Sequence, residues 1–256
     1  MSNIKNAFSK GKAFIPFITC GQISLDITEK TIYEMEKNGA NLIELGIPFS
    51  DPVAEGSIIQ SANNRALKNG TTTDKIFSML ESVRKNTDIP MVFMTYANIV
   101  FSYGIDRFAE KSKKLKIDGI ILPDVPYEEK KEFDSIFKKH NIDFVSLIAP
   151  TSEERISAIA KDSNGFIYCV SSLGVTGIRE NINTNIEKMV NLVKSVNNIP
   201  VAVGFGISTP EQAKEMSEYA DGVIVGSAIV KLCEEYGEDS LSYVGKYVKE
   251  MKNAIL

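Results

Sequence analysis

The sequence predicts an α/β fold of the (β/α)8 barrel type, and three observations support this prediction. Apolar runs of strand length recur along the chain, and amphipathic stretches of helix length separate them. The strand-like runs are continuously apolar, which is typical of a parallel sheet covered on both faces. The chain has 256 residues, which leaves about 32 for each of eight strand–helix units, as a closed barrel of this type requires.

Eight segments fit the strand pattern in chain order, and they are residues 13–19, 40–47, 91–96, 119–123, 144–149, 166–171, 201–205 and 222–226. Helical periodicity is clearest in residues 26–37, where the pattern ends at Asn38-Gly39. A second helix is expected to begin after Thr209, because a capping residue is followed by proline and then by an acid.

One domain over residues 1–256 is expected, because the chain has no low-complexity linker and no shift in composition. Residues 1–12 are expected to add an N-terminal helix at the bottom of the barrel. An open doubly wound sheet is the alternative fold, but the glycine fingerprint expected after its first strand is missing.

Composition excludes several classes of function. The net charge of −4 argues against a surface for nucleic acid or anionic membrane, and no run of about 18 apolar residues predicts a membrane span. The polar N-terminal segment does not resemble a signal peptide. Cys20, Cys169 and Cys233 are far apart, which is typical of reduced thiols in the cytoplasm. With one histidine, His140, no metal site is expected.

Two carboxylates flank the loop that follows the second strand. Glu44 stands at the end of that strand, and Glu55 follows eleven positions later. Because the loops after the strands build the active site of a (β/α)8 barrel, these acids are candidates for acid–base catalysis. The alternatives are a buried Glu44 paired with an arginine or lysine, and a Glu55 that is a solvated loop acid.

Glycines follow the last three strands and predict a phosphate site. The candidates are Gly177, Gly206, Gly226 and Ser227, and a helix that begins near Ser227 would add its positive N-terminal dipole. Each glycine taken alone also fits a tight turn. Together, in the loops where this fold commonly holds phosphate, they predict a phosphate-binding barrel.

These motifs resemble, in the same order, those of the tryptophan synthase α subunit family. The similar segments are FIPFIT at 14–19, ELGIPFSDPVAEG at 44–56, PMVFMTYAN at 90–98, LPDVP at 122–126, GVTG at 174–177, GFGIS at 204–208 and GSA at 226–228. The resemblance covers nearly the whole chain. It implies a lyase of tryptophan biosynthesis that cleaves indole-3-glycerol phosphate into indole and glyceraldehyde 3-phosphate.

Site roles follow from this resemblance. Glu44 would exchange protons with the substrate, Glu55 would accept the indole N–H, and Tyr168 lies where its hydroxyl would reach Glu44 or the substrate. The indole slot would be formed by Phe17, Met94, Ile121, Ile148, Tyr168 and Phe205, although ordinary barrel core is an equal alternative for Met94 and Ile148. Residues 171–183 would form a lid that brings Thr176 onto the site, and a plain surface loop is the alternative.

The resemblance also implies a partner. The α chain would join a tryptophan synthase β subunit in an α2β2 tetramer, with pyridoxal phosphate in the β subunit and no cofactor in this chain. The alternatives are a free-standing lyase that releases indole and a weakly catalytic barrel that mainly activates the β subunit. Another phosphate-binding barrel, such as a sugar-phosphate isomerase, is the alternative if the resemblance misleads.

Three departures from the usual family pattern bear on these roles. Glu55 stands where aspartate is usual, Ser57 replaces a proline, and Gln22-Ile23 replaces Asp-Pro after the first strand. The arm of Glu55 is longer by about 1.5 Å. The change at Gln22-Ile23 is expected to alter the mobility of that loop without removing the chemistry.

Overall fold

A computed structural model describes residues 2–170, 180–204 and 206–256 of the chain. Its strands are β1 (Ala13–Thr19), β2 (Ile43–Gly46), β3 (Met91–Met94), β4 (Gly119–Ile121), β5 (Asp143–Phe144), β6 (Ser146–Ile148), β7 (Ile167–Val170), β8 (Val201–Gly204) and β9 (Gly222–Val225).

The helices of the described residues surround these strands. They are α1 (Ile4–Ala7), α2 (Leu25–Lys37), α3 (Ser57–Lys68), α4 (Thr73–Val83), α5 (Ala97–Tyr103), α6 (Ile105–Lys114), α7 (Lys130–Lys139), α8 (Glu153–Lys161), α9 (Glu180–Val196), α10 (Pro210–Tyr219), α11 (Ser227–Tyr236) and α12 (Ser240–Ala254). None of these helices is long and apolar enough to cross a membrane.

All strand pairs are parallel, and the spatial order of the sheet is β5-β4-β3-β2-β1-β9-β8-β7-β6. The two ends of this order, β5 and β6, are separated in the chain by Val145 alone. The Val145 N–H donates to the Ile120 carbonyl at 2.9 Å, so the sheet nearly closes on itself. The predicted (β/α)8 barrel is confirmed, with its fifth strand divided.

The division of the fifth strand follows from its pairing. Residues 143 and 144 pair with β4, whereas residues 146 to 148 pair with β7. The second strand is also shorter than the predicted 40–47, because the Ala40 N–H completes the end of α2 by donating to Met35. Apolar character therefore extends beyond the residues that form the ladder.

The strands separate two apolar cores. Along β1, Ile15 and Phe17 point into the barrel interior, whereas Phe14 and Ile18 pack against the outer helices. This alternation is the period of two that a pleated strand imposes. Burial on both faces explains why the strands read as continuous apolar runs.

The bottom of the barrel is closed by the N-terminal segment. Ile4 is 0 % exposed and belongs to the interior core, and the Asn3 N–H donates to Asp118 at 2.7 Å. Only Ile4–Ala7 is helical, for a single turn. The extra helix expected over residues 1–12 is therefore not confirmed, because a buried side chain and short turns do the closing.

The start of α10 offers a test of local stability. Thr209 accepts a hydrogen bond from the Gln212 N–H, and the Gln212 side chain accepts one from the Thr209 N–H, which forms a capping box. Thr209→Ala should lower the free energy of unfolding by about 1 kcal/mol in urea titrations. Thr151→Ala, at an exposed threonine before α8, should change the free energy of unfolding by less than about 0.5 kcal/mol. Equal losses in both variants would show that the cap does not stabilise α10.

Candidate active site

A cavity of about 310 Å³ opens at the carboxyl ends of the strands. It lies where the loops of a (β/α)8 barrel converge. Its lining residues come from strands on both sides of β1 and from the starts of α3 and α11, and they are Phe17, Glu44, Ala54, Glu55, Gly56, Ile59, Met94, Tyr168, Gly206, Ile207, Ser208, Ile224, Gly226, Ser227 and Ala228.

Glu44 is the most buried acid of this cavity. It pairs in register with Phe17 of β1 and Val92 of β3, and it is 1 % exposed. Its Oε2 has no hydrogen-bond partner among the described residues, and no lysine or arginine of this part of the chain contributes to its pKa shift. Burial, and then the charge of Glu55, raise the pKa of Glu44 to about 8.

Glu55 lies in the loop between β2 and α3 and is half-buried. Its Oε2 accepts a hydrogen bond from Asn63 Nδ2 at 2.6 Å. Burial raises the pKa of Glu55 to about 7, while Asn63 and the nearby Tyr96 hydroxyl oppose the rise. Glu55 is therefore a half-buried, hydrogen-bonded acid of the cavity and does not have the surroundings of a fully solvated loop acid.

Two strand glycines make room for the aromatic walls. A Cβ at Gly46 would lie 2.7 Å from Phe17 Cζ, and one at Gly204 would lie 2.5 Å from the Tyr168 hydroxyl oxygen. Neither distance is tolerated between real atoms, so the rings of Phe17 and Tyr168 fill space that only glycine leaves open. The Tyr168 pKa is raised by burial and then by the charge of Glu44.

The opposite side of the cavity is suited to an anion. Gly206 has φ +78°, a left-handed conformation that favours glycine, and Gly226 precedes the first turn of α11. No side chain caps the N-terminus of α11, so its first N–H groups are available at the cavity beside the exposed Ser227. The helix dipole adds positive potential at the same point.

The loop after β1 is tied to this region. Gln22 is buried, and its Nε2 donates to the Val230 carbonyl of α11 at 3.2 Å. Asn69 Nδ2 donates to the carbonyls of Gly21 and Ile23 at 3.2 and 2.9 Å. These hydrogen bonds tie the loop after β1 to α3 and α11.

The predicted site residues divide into three groups. The cavity brings together Phe17, Glu44, Glu55, Met94, Tyr168, Gly206, Gly226 and Ser227. Ile121 lies in the barrel interior beside Met94 without lining the cavity, and Ile148 lies in the outer core. Thr176, Gly177 and Phe205 lie outside the described residues.

The predicted lid also lies mostly outside the described residues, since they do not include 171–179. For residues 180–183 the prediction of a loop is wrong, because these residues belong to α9. Ile148 fails to reach the cavity for a geometric reason. It pairs with Cys169, on the outer face, whereas its neighbour Leu147 pairs with the cavity residue Tyr168.

Sequence reasoning missed the contribution of α3 and of the strand glycines. Ile59 lines the cavity, and Asn63, one turn further along the same helix face, holds Glu55. The spacing of four residues was a usable signal for a shared face. In the described residues, no group of three or more His, Cys, Asp or Glu side chains could hold a metal ion.

Comparisons with known proteins agree on one family. The family model described as "Tryptophan synthase alpha chain" matches residues 3–255. A tryptophan synthase alpha chain of Lacticaseibacillus casei is 44% identical over 255 residues, which cover 100% of this chain and 96% of that protein. That identity extends over nearly the full length of both chains.

Solved structures extend the agreement to three dimensions. The tryptophan synthase alpha chain of Legionella pneumophila is 34% identical with a TM-score of 0.89, and the match covers 100% of this chain and 97% of that one. A chain from the tryptophan synthase α2β2 complex of Pyrococcus furiosus is 37% identical with a TM-score of 0.86, covering 94% and 98%.

The buried carboxyl of Glu44 should make the folded protein's stability depend on pH. Its pKa rises from an ordinary 4.5 to about 8, so the folded chain holds an extra proton between these values. Stability therefore falls as pH rises through that window. The Glu44→Gln variant cannot ionise at this position. Its free energy of unfolding, relative to that of the unsubstituted protein, should therefore rise by on the order of 3 kcal/mol between about pH 5 and pH 8.5.

Urea unfolding at both pH values measures this difference. Glu81→Gln, at an exposed glutamate of α4, is the control and should show no such gain. A Glu44→Gln gain that is the same at both pH values would mean that Glu44 ionises normally in the folded state.

Proposed function

Since the chain belongs to the tryptophan synthase alpha chain family and cleaves indole-3-glycerol phosphate in tryptophan biosynthesis, we propose that Glu44 and Glu55 carry this lyase reaction. The observation that supports the assignment is the presence of two carboxyl groups with raised pKa values in one cavity, facing an uncapped helix N-terminus. Family membership also confirms the resemblance inferred from the ordered motifs.

Glu44 acts first as an acid. With a pKa of about 8 it is largely protonated near neutrality, so it donates its proton to the indole carbon that carries the glycerol phosphate chain. The resulting indolenine is electron-poor. The ionised Glu44 then removes the proton of the side-chain hydroxyl, the C–C bond breaks, and its electron pair returns to the ring. Indole and glyceraldehyde 3-phosphate result, and Glu44 recovers its proton.

Glu55 stabilises the intermediate by charge. Its carboxylate accepts the indole N–H, where positive charge develops when the ring carbon is protonated. Glu44 is the more deeply buried of the two acids, so its protonated form is favoured more strongly, which suits the two groups to opposite roles.

The rest of the cavity binds the two ends of the substrate. Phe17, Met94 and Tyr168 form apolar walls for the indole, and Ile59 and Ile224 extend these walls. The charge of Glu44 acts on the Tyr168 hydroxyl, and this proposal gives Tyr168 the role of orienting the Glu44 carboxyl. Phe205, which lies outside the described residues, is the remaining wall residue of this proposal.

Phosphate is held at the other side. Gly206, Gly226 and Ser227 bind it through backbone N–H groups at the start of α11, and Gly177 joins them in this proposal. Among the described residues that line the cavity, none is a lysine or arginine, so the helix dipole and the N–H groups supply the attraction from this part of the chain. Thr176 closes on the bound substrate.

The proposed partner is a β subunit in an α2β2 tetramer, as named for the complex from Pyrococcus furiosus. Pyridoxal phosphate is then bound by that subunit, and this chain performs its step with side chains alone. The buried, unpaired Cys20, Cys169 and Cys233 support a reducing compartment such as the cytoplasm. A barrel that only activates its partner is disfavoured, because such a barrel has no use for the unpaired acid Glu44.

Replacement of Glu44 tests the central assignment. Glu44→Gln keeps size and polarity but cannot exchange a proton, so it should lower the turnover of indole-3-glycerol phosphate by at least 10²–10⁴-fold. Substrate binding should change little. Steady-state release of indole, measured with and without a cognate β subunit, gives both quantities, and near-normal turnover would remove Glu44 from the mechanism.

Replacement of Gly206 tests the phosphate site. Gly206→Val places a side chain at the anion position and should weaken the binding of glycerol phosphate by about 10-fold or more in calorimetry. Gly237→Val is a matched control, because Gly237 also has positive φ (+53°) and open space around its Cβ but lies at the far end of α11. Equal losses in both variants would count against a phosphate site at Gly206.

A further inference from the structure

Asn63 makes a specific contact with a cavity acid that sequence motifs did not reveal. It lies in the interior of α3, is 3 % exposed, and its Nδ2 donates to Glu55 Oε2 at 2.6 Å. Its neighbour Asn64 is exposed and points away from this site. Since a buried amide on a helix has little freedom to move, Asn63 gives Glu55 a fixed point of attachment.

The backbone of Glu55 is held as well. Gln60 Nε2 donates to the Glu55 carbonyl at 2.7 Å, and the Ala54 N–H donates to the Tyr96 hydroxyl at 3.2 Å. Tyr96 is itself buried and stacked against Phe49, with ring centroids 5.0 Å apart. Both the main chain and the carboxylate of this loop residue are therefore anchored to α3 and to the turn after β3.

We propose that Asn63 positions the Glu55 carboxylate for the reaction, and that this donor is matched in length to glutamate at residue 55 rather than to aspartate. This inference rests on the function proposed above for the cavity. The loop backbone is fixed by Gln60 and Tyr96, so an aspartate arm, shorter by about 1.5 Å, would end beyond hydrogen-bond reach of Asn63.

An amide is suited to this task. It donates a hydrogen bond that favours the ionised carboxylate, yet it adds no positive charge that would compete with the charge developing on the indole. A carboxylate offers about four lone-pair sites, so the bond from Asn63 leaves room for the indole N–H. Asn63 touches no substrate atom in this assignment and is a positioning residue.

The pH dependence expected from this contact involves few other groups. Among the described residues, the titratable side chains near Glu55 are Glu44 of β2, Tyr168 of β7 and Tyr96, and Asp124 in turn acts on Tyr96. The two tyrosines stay neutral below about pH 9, since burial raises their pKa values. The acid limb of the turnover profile therefore reports the ionisation of Glu55.

The experiment compares substitutions at residues 55 and 63 in the full chain with its β subunit. Turnover and KM for indole-3-glycerol phosphate are measured between about pH 5 and pH 9. Asn63→Ala should lower kcat by about 10-fold or more, leave KM within about 2-fold, and move the acid limb to higher pH by about one unit. Asn64→Ala, the adjacent asparagine, should leave all three unchanged.

A rescue tests the matched lengths and keeps the amide in place. Glu55→Asp alone should lose activity by about 10-fold or more, whereas Glu55→Asp combined with Asn63→Gln moves one methylene across the contact and should recover most of it. An acid limb unmoved by Asn63→Ala, or a double variant no more active than Glu55→Asp, overturns the proposal. If Asn63→Ala does not fold, the double variant alone decides. An unsubstituted chain that releases no indole would instead refute the proposed function.

Discussion

The burial of one carboxyl group, that of Glu44, is the constraint around which the cavity is organised. A carboxylate in an apolar site is costly unless it is paired or takes up a proton. Within the described residues, no arginine or lysine lowers the pKa of Glu44, and one of its oxygens has no hydrogen-bond partner. The barrel thus accepts an acid that is stable mainly in its protonated form. That cost is also what makes the group an acid near neutrality.

The parallel barrel makes this arrangement possible because it brings distant segments to one end. Glu44 and Phe17 are side by side in the register of β1 and β2, while Tyr168 approaches from β7. The two aromatic rings fit only because Gly46 and Gly204 leave their space open. The packing at the mouth of the barrel and the chemistry of the cavity therefore depend on the same residues. A side chain added at either glycine would displace a wall of the cavity.

The departures of this chain from the usual family pattern are accommodated by contacts of their own. The longer arm of Glu55 meets Asn63, and Gln22 reaches the Val230 carbonyl of α11. Both contacts join a loop after a strand to a helix that borders the cavity. Substitutions that look disruptive in the sequence therefore have hydrogen-bond partners in the folded chain.

The sequence by itself determined the barrel, the order of its strands and the loops that carry the site, because apolar runs, turn residues and glycines are local signals. Its motifs and their family resemblance also pointed to Glu44, Glu55, Tyr168, Gly206 and Gly226, which the structure brings into one cavity. Only the tertiary structure decided which face of a strand each apolar residue occupies. Strands buried on both faces show no alternation in polarity, so Ile148 could not be distinguished from Leu147.

The same limit applies to partners that meet only after folding. The hydrogen bond of Asn63 to Glu55 and the space left by Gly204 for Tyr168 are contacts between groups whose proximity depends on how α3 and the strands pack. Local propensity carries no information about such distances. Residue types along the chain therefore determined the chemistry that is available, and packing decided which groups hold one another in place.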